Sequence, residues 1–436
     1  KTQGDVAYQL ALFHQGKSTQ AIFWYKSAVR LNYLEASIAL AQLYYQQDKL
    51  SKATKVLNAI PVEISKKLNS EVQILKINIA INRGNVTEVN LILNEHAQQL
   101  KQTAKGRLLL TDIKKYQFQL DSNKVFDPSL SMVSCDNSIQ LFATNIKHLK
   151  RLESLIENFQ EQALNRAVCF SPVRYMPINA LDCSVERDKA IRCDELNWQS
   201  WASIINTRYV GLMLPKGGAN VHLGILYFDA QDSVDVIAHE ISHLLGFIDE
   251  YPLVADHVKC RSIQKEKFAQ NISVLKNYYQ GDQGTIRTKV LKQIAWAKQI
   301  RDTTPILQLV TSQSNEQQWQ LGTPNKYKDE VGLFDAQTCE NSVYQKKSGF
   351  SAFKPLSQRT KLQYFALDFP ELYSTLIQEN STQYLMPSFH YNIALAHFQQ
   401  SSLQETNIKQ ANYWLERAAS WEHEVNRRKR IRLGEF

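Results

Sequence analysis

The chain has 436 residues, 44% of them hydrophobic and 21% charged, with 15 glycines and 11 prolines. This is the composition of an ordinary folded protein, long enough for roughly two to four domains, and it excludes a disordered or fibrous chain. No apolar run is long enough to span a bilayer. The formal charge of +9 is moderate and partly sits in one terminal run, NRRKRIRLGEF from Asn426 to Phe436, which a solvated helix end or tail explains without nucleic acid.

From the start to about residue 100, apolar and small residues recur at three- and four-residue steps, predicting successive helices. The joints HQGKST and QQDKL separate them, and Gly16 marks a stop. The segment is also self-similar. Ala41 and Ala53 bracket a helix–turn–helix, Ile77 and Val89 hold the equivalent places around NRGN, and ANYWLERA (Ala411–Ala418) matches AIFWYKSA (Ala21–Ala28) at both alanines and the tryptophan. These stretches resemble tetratricopeptide or Sel1-like repeats, over residues 3 to about 100 and again about 388 to 420. The resemblance implies a concave surface for a protein or peptide partner. The other reading is a bundle of unrelated amphipathic helices.

Strand-like runs then alternate with helical ones. SLSMVS, RAVCFSPVRYMP, TRYVGLMLP and NVHLGILYF predict strands, while NIKHLKRLESLIENFQ and NWQSWASIIN predict helices. The expected architecture is α+β: residues 1–118 of helical repeats, a mixed-sheet domain over 119–386, and a helical segment with a basic tail over 387–436. Six cysteines fall in the middle of the chain, none in a CxxC pair. They suit three disulfides and an oxidising compartment, although six buried thiols are the alternative. The pairing expected is Cys135 with Cys169, Cys183 with Cys193, and Cys260 with Cys339. The chain opens at Lys1, as after removal of a signal peptide, and the expected location is the bacterial periplasm or outside the cell.

HEISHLLGFIDEY, His239–Tyr251, carries the chemistry. Asp232 is the expected cap of a helix over about 233–245, with Asp235 three positions on and Gly246 as its stop. Ile237, Ile241 and Leu244 form its core stripe. His239 and His243, four apart, stack on another side of the helix, where both reach one metal ion, and Glu240 follows as the carboxylate that takes a proton from metal-bound water. A catalytic zinc needs a third ligand, and the turn at Gly246 returns Asp249 towards the histidines.

This HExxHxxGxxD stretch resembles the metzincin metallopeptidases, and Glu250 and Tyr251 extend the likeness to the IgA-peptidase-like M64 family, whose motif also closes in Asp-Glu-Tyr. The chain is one residue shorter here than that family's pattern, which leaves Asp249 or Glu250 as the ligand. GLFDAQTC from Gly332 resembles the GLFEGA-type segment of the family, and YLMPS at Met386 resembles the methionine turn beneath the zinc. NVHLGILYF would be the edge strand that aligns a peptide. His222, His257 and Glu266 are rival ligands, and Tyr251 and Tyr391 are conceivable helpers for an oxyanion.

The expectation is an exported zinc metallopeptidase acting on a peptide or protein, with His239, His243 and Asp249 on Zn2+ and Glu240 as general base. A periplasmic scaffold whose repeats bind a partner, with a silent peptidase-like domain, is the alternative. Hydrolysis of another amide, such as a cell-wall peptide, stays open.

Overall fold

The computed structural model describes residues 2–60, 69–118, 135–184, 186, 189–311, 317–400 and 405–436. The SLSMVS run, at 129–134, lies outside them. The protein is α+β, with helices at both ends and three sheets between.

Helices α1 (Gln3–Phe13), α2 (Ser18–Arg30), α3 (Leu34–Gln46), α4 (Leu50–Asn58), α5 (Asn69–Asn82), α6 (Val86–Gln102) and α7 (Ala104–Lys115) follow one another, and each packs on the next in turn through α4, then α5 to α7. Three joints end a helix alike. Asn32, Asp48 and Gly84 have φ of 58°, 58° and 71°, and the following Tyr33, Lys49 and Asn85 donate back to the carbonyls of Ala28, Tyr44 and Ala80. Small or short polar residues tolerate this left-handed geometry best, which is why the joints read as turns. The alanines singled out in the repeats, Ala21, Ala28, Ala41 and Ala53, are all fully buried, so the helix backbones approach closely there.

Strands β1 (Ser138–Ala143), β2 (Cys169–Tyr175), β3 (Tyr209–Leu214), β4 (Asn220–His222) and β5 (Ile225–Asp229) form a sheet of order β2-β1-β3-β5-β4, parallel except for the edge strand β4. NVHLGILYF is thus a hairpin, β4 and β5, with Leu223 and Gly224 at φ 43° and 87° in its two-residue turn. Both faces are covered, as a mostly parallel sheet requires. Ile139, Leu141, Met213, Leu226 and Phe228 face one core, shared with α8 (Ile146–Phe159) and with a later helix, Val234–Leu244. Phe142, Val210, Leu212, Ile225 and Tyr227 face a second.

NWQSWASIIN is helical over its first half, where a 3-10 turn (Glu195–Trp198) runs into α9 (Gln199–Ala202). The Val234–Leu244 helix is α10, and after it come two three-stranded sheets, Phe334–Asp335 with Phe350–Lys354 and Ser273–Lys276, and Tyr278–Tyr279 with Gln317–Leu321 and Leu307–Thr311. All three expected disulfides are present: Cys135–Cys169, Cys183–Cys193 and Cys260–Cys339.

The C-terminal helices Phe389–Phe398, Glu405–Ala419 and Val425–Arg432 do not stand apart as an arm. Phe389, Ile393, Trp414, Leu415, Ala418 and Ile431 supply the second core against β3 and β5. The basic tail is helical rather than a flexible end, and two of its arginines turn inward: Arg427 to the Glu422 carboxylate and Arg428 to the Glu422 carbonyl.

Candidate metal centre

Strand β5 ends at Asp229, and the chain turns into α10 within four residues. Asp232 was expected to cap the helix; the cap is Ser233, whose hydroxyl accepts from Val236 N at 3.3 Å. Asp232 instead accepts from Asp229 N at 2.7 Å and so pins the loop. Ile237, Ile241 and Leu244 are buried in the core, as the helical stripe predicts. Gly246 at φ +88° closes the helix, with Phe247 N donating to Ser242 O and Gly246 N to His243 O. A Cβ there would lie 2.3 Å from Tyr384 O, so the position excludes side chains twice over.

The turn delivers Asp249 to the histidines. Its Oδ1 lies 3.2 Å from His239 Nε2 and 3.3 Å from His243 Nε2. Among the described residues these three form the only such His/Cys/Asp/Glu group able to hold a metal ion. Tetrahedral bonds of about 2.0–2.1 Å place neighbouring ligand atoms about 3.3–3.4 Å apart, which the two carboxylate–imidazole distances match, and all three atoms lie within 4.8 Å of one another. The tautomers fit as well. His239 Nδ1 lies 2.8 Å from Lys361 O, and His243 Nδ1 lies 3.1 Å from Phe247 O. A carbonyl only accepts, so each Nδ1 carries a proton and Nε2 is the ring atom that faces the centre, free to ligate once it holds no proton. Asp249 Oδ1 is buried, and no hydrogen bond of ordinary geometry satisfies it among the described residues. Its near neighbours are the two imidazole Nε2 atoms, a donor set that a bound cation would suit.

The charges are coupled. Burial disfavours the His243 cation, but the Asp249 carboxylate, helped by Glu240 and the Phe247 carbonyl, pushes it up to about 9. Burial disfavours the Asp249 anion too, and the two histidines outweigh it, holding its carboxyl well below the usual range. Glu240 is buried on the same helix; that burial raises its pKa against the pull of the histidines. Tyr251 lies over the His239 ring, 6.4 Å between centroids and nearly parallel. Burial and the Asp249 charge keep its phenol protonated.

The rivals are elsewhere. Glu250 is fully buried, its carboxylate bound to Lys354 Nζ at 2.9 Å, to Asn271 Nδ2 at 3.1 Å and to the Tyr373 hydroxyl. Glu266 is exposed and pairs with Arg430 at 3.4 Å. His222 sits on β4 against Glu195 at 2.7 Å, and His257 accepts from Lys259 N. The Tyr391 hydroxyl is taken by Gly434 O at 2.7 Å. Met386 meets the end of α10, where its N–H donates to Leu244 O at 2.9 Å. The GLFDAQTC stretch reaches the centre through Thr338, whose hydroxyl donates to Asp249 O at 2.8 Å.

Residues with no motif also shape the site. Consecutive carbonyls of Lys361 and Leu362 hold His239 Nδ1 and Glu250 N, and the buried Lys361 ammonium pairs with Asp235 at 2.9 Å, one turn before His239. Nothing local marks Lys361, which lies 122 residues from the histidine that its carbonyl orients. In comparisons with protein-family models, curated proteins and solved structures, no match was found.

Proposed function

We propose that this chain is a zinc-dependent peptide hydrolase of metzincin type, working outside the reducing cytosol. The observation that carries this reading is the convergence of two imidazole Nε2 atoms and one carboxylate oxygen within 4.8 Å of one another, beside the buried Glu240. Zinc bound by His239, His243 and Asp249 would supply Lewis acidity, lowering the pKa of a water and polarising the scissile carbonyl. Glu240 takes the proton and passes it to the leaving amine; its raised pKa brings it nearer the working pH than an ordinary carboxylate. The Tyr251 phenol, protonated and hydrogen-bonded to Asp249, is proposed to turn to the developing oxyanion. The antiparallel edge strand β4, packed near α10, is suited to align an extended peptide by main-chain bonds. The three disulfides are consistent with export.

The helical segment is proposed to bind a protein partner or the substrate. It opens a cavity of about 640 Å³ lined by Tyr8, Ile38, Ile74, Asn78 and Leu108 and walled by Ile146 of α8. That cavity would serve equally in the second reading, a scaffold with a silent centre. Bound zinc and cleavage of a broad peptide library, wild type against Glu240→Gln, separate the two. The peptidase reading expects one zinc in both and cleavage in the wild type alone; zinc without cleavage in either leaves the scaffold.

A further inference from the structure

Behind the metal centre buried Arg208 and Glu422 form a cluster with the half-buried Arg427. Arg208 is 1% exposed and Glu422 is 2% exposed. Arg208 Nη2 donates to Glu422 Oε1 at 2.7 Å and to Met386 O at 2.9 Å, and its Nη1 donates to Trp421 O at 2.8 Å. Arg427 Nε donates to Glu422 Oε2 at 2.5 Å, while its Nη1 and Nη2 donate to the carbonyls of Gln383, at 2.8 Å, and Leu385. Three carbonyls of the 383–386 turn are therefore held by two cations that one carboxylate bridges.

The same turn is tied to the end of α10. Met386 N donates to Leu244 O at 2.9 Å, the single proton of the Tyr209 hydroxyl lies between Leu244 O at 3.1 Å and Met386 O at 3.0 Å, and that hydroxyl in turn accepts from Arg208 Nε at 2.9 Å. Leu244 follows His243, and its carbonyl is one of those that a helix end leaves without an intrahelical partner. How that carbonyl is held sets the pitch of the last turn. The last turn in turn aims His243 and starts the Gly246 bend that returns Asp249.

A surface pair would do none of this. Burying the Arg208 and Glu422 charges costs several kcal/mol per ion unless each is bonded, and here the bonds, with those of the half-buried Arg427, converge on one turn. We infer that Arg208, Glu422 and Arg427, with Tyr209, are positioning residues for the metal ligands, so the C-terminal helices belong to the metal centre. This rests on the metal reading above.

The test uses the full chain. Tyr209→Phe removes a single hydroxyl and leaves the packing intact; Glu422→Gln breaks the bridge; Arg432→Ala, at an exposed pair with Glu416, is the control on the same helix. Zinc affinity is measured by competition with a chromophoric chelator, and the coordination sphere by the visible spectrum of the Co2+-substituted protein, with circular dichroism to verify folding. Partners that bond a ligand directly change metal affinity by about 10- to 100-fold. One shell further out, Tyr209→Phe is expected to weaken zinc by about threefold to tenfold and to shift the Co2+ bands, Glu422→Gln to do more, and Arg432→Ala to do neither. Folded Tyr209→Phe with wild-type zinc affinity and an unaltered Co2+ spectrum overturns the inference, even if Glu422→Gln is unstable. A wild type that binds neither metal overturns the metal reading and this inference together.

Discussion

Asp249 and Glu250 are adjacent in the chain and face opposite ways. The Asp249 carboxylate meets both histidines, 3.2 and 3.3 Å from their Nε2 atoms, while the Glu250 carboxylate is buried against Lys354 at 2.9 Å. The turn after Gly246 has room for one acid at the centre, and the second anchors the loop from behind.

The two acids should therefore fail differently. Asp249→Ala is expected to lose stoichiometric zinc and keep its fold. Glu250→Gln leaves the Lys354 ammonium unpaired in the interior, a loss of roughly 3–5 kcal/mol, but the protein that remains folded should still bind one zinc. Thermal unfolding and metal analysis of both variants check this; loss of zinc from folded Glu250→Gln with retention in Asp249→Ala would reverse the assignment.

Zinc uptake should release protons. Without metal, His243 holds its proton up to about pH 9 because of Asp249, and a ligand must be neutral. Apparent zinc affinity is expected to rise about tenfold per pH unit up to pH 9 and then to level off. The metal-free fold shows the opposite trend. A histidine with a raised folded pKa contributes stability that is fully present below its unfolded pKa, about 6.5, and is lost as pH rises through about 9. Chelator competition and melting curves between pH 6 and 10 measure both, and a pH-independent zinc affinity would contradict the proposed coupling.

Acid should unfold the protein through two other histidines. Burial, with Lys147 adding to it, lowers His148 to about 4, and burial lowers His390, stacked on Trp414, to about 3. Both folded values lie below the unfolded one, so the unfolded chain binds more protons beneath pH 6.5 and stability falls from there towards pH 3–4. His390→Phe keeps an aromatic ring and removes the titration. Its melting temperature should drop less than that of the wild type between pH 7 and pH 4.5.

The Cys260–Cys339 bond braces the metal loop. It spans 79 residues, and closing a loop of that size is worth about 4.5 kcal/mol by chain entropy. Thr338, beside Cys339, donates to Asp249 O, and Ser342 donates to Cys260 O at 2.6 Å. Replacing both cysteines by serine is expected to lower the melting temperature and weaken zinc severalfold. Unchanged zinc affinity in the folded double variant would show that Thr338 holds Asp249 without the brace.

The sequence by itself determined the helix, its core stripe, its two histidines and its glycine stop, because these depend on a periodicity of 3.6 residues and on one backbone conformation that glycine tolerates. It also determined the α+β alternation and the close-packed alanines of the helical segment. It did not separate Asp249 from Glu250, since both lie within reach after a sharp bend and only the waiting Lys354, Asn271 and Tyr373 decide which one turns away. Nor could it place the C-terminal helices: small residues report that a helix packs closely, not on what. Only the tertiary structure brought Glu422 to Arg208 across 214 residues and set Lys361 O behind His239. Such partners leave no local pattern, because a buried charge or a carbonyl acquires its role from whatever the fold carries to it.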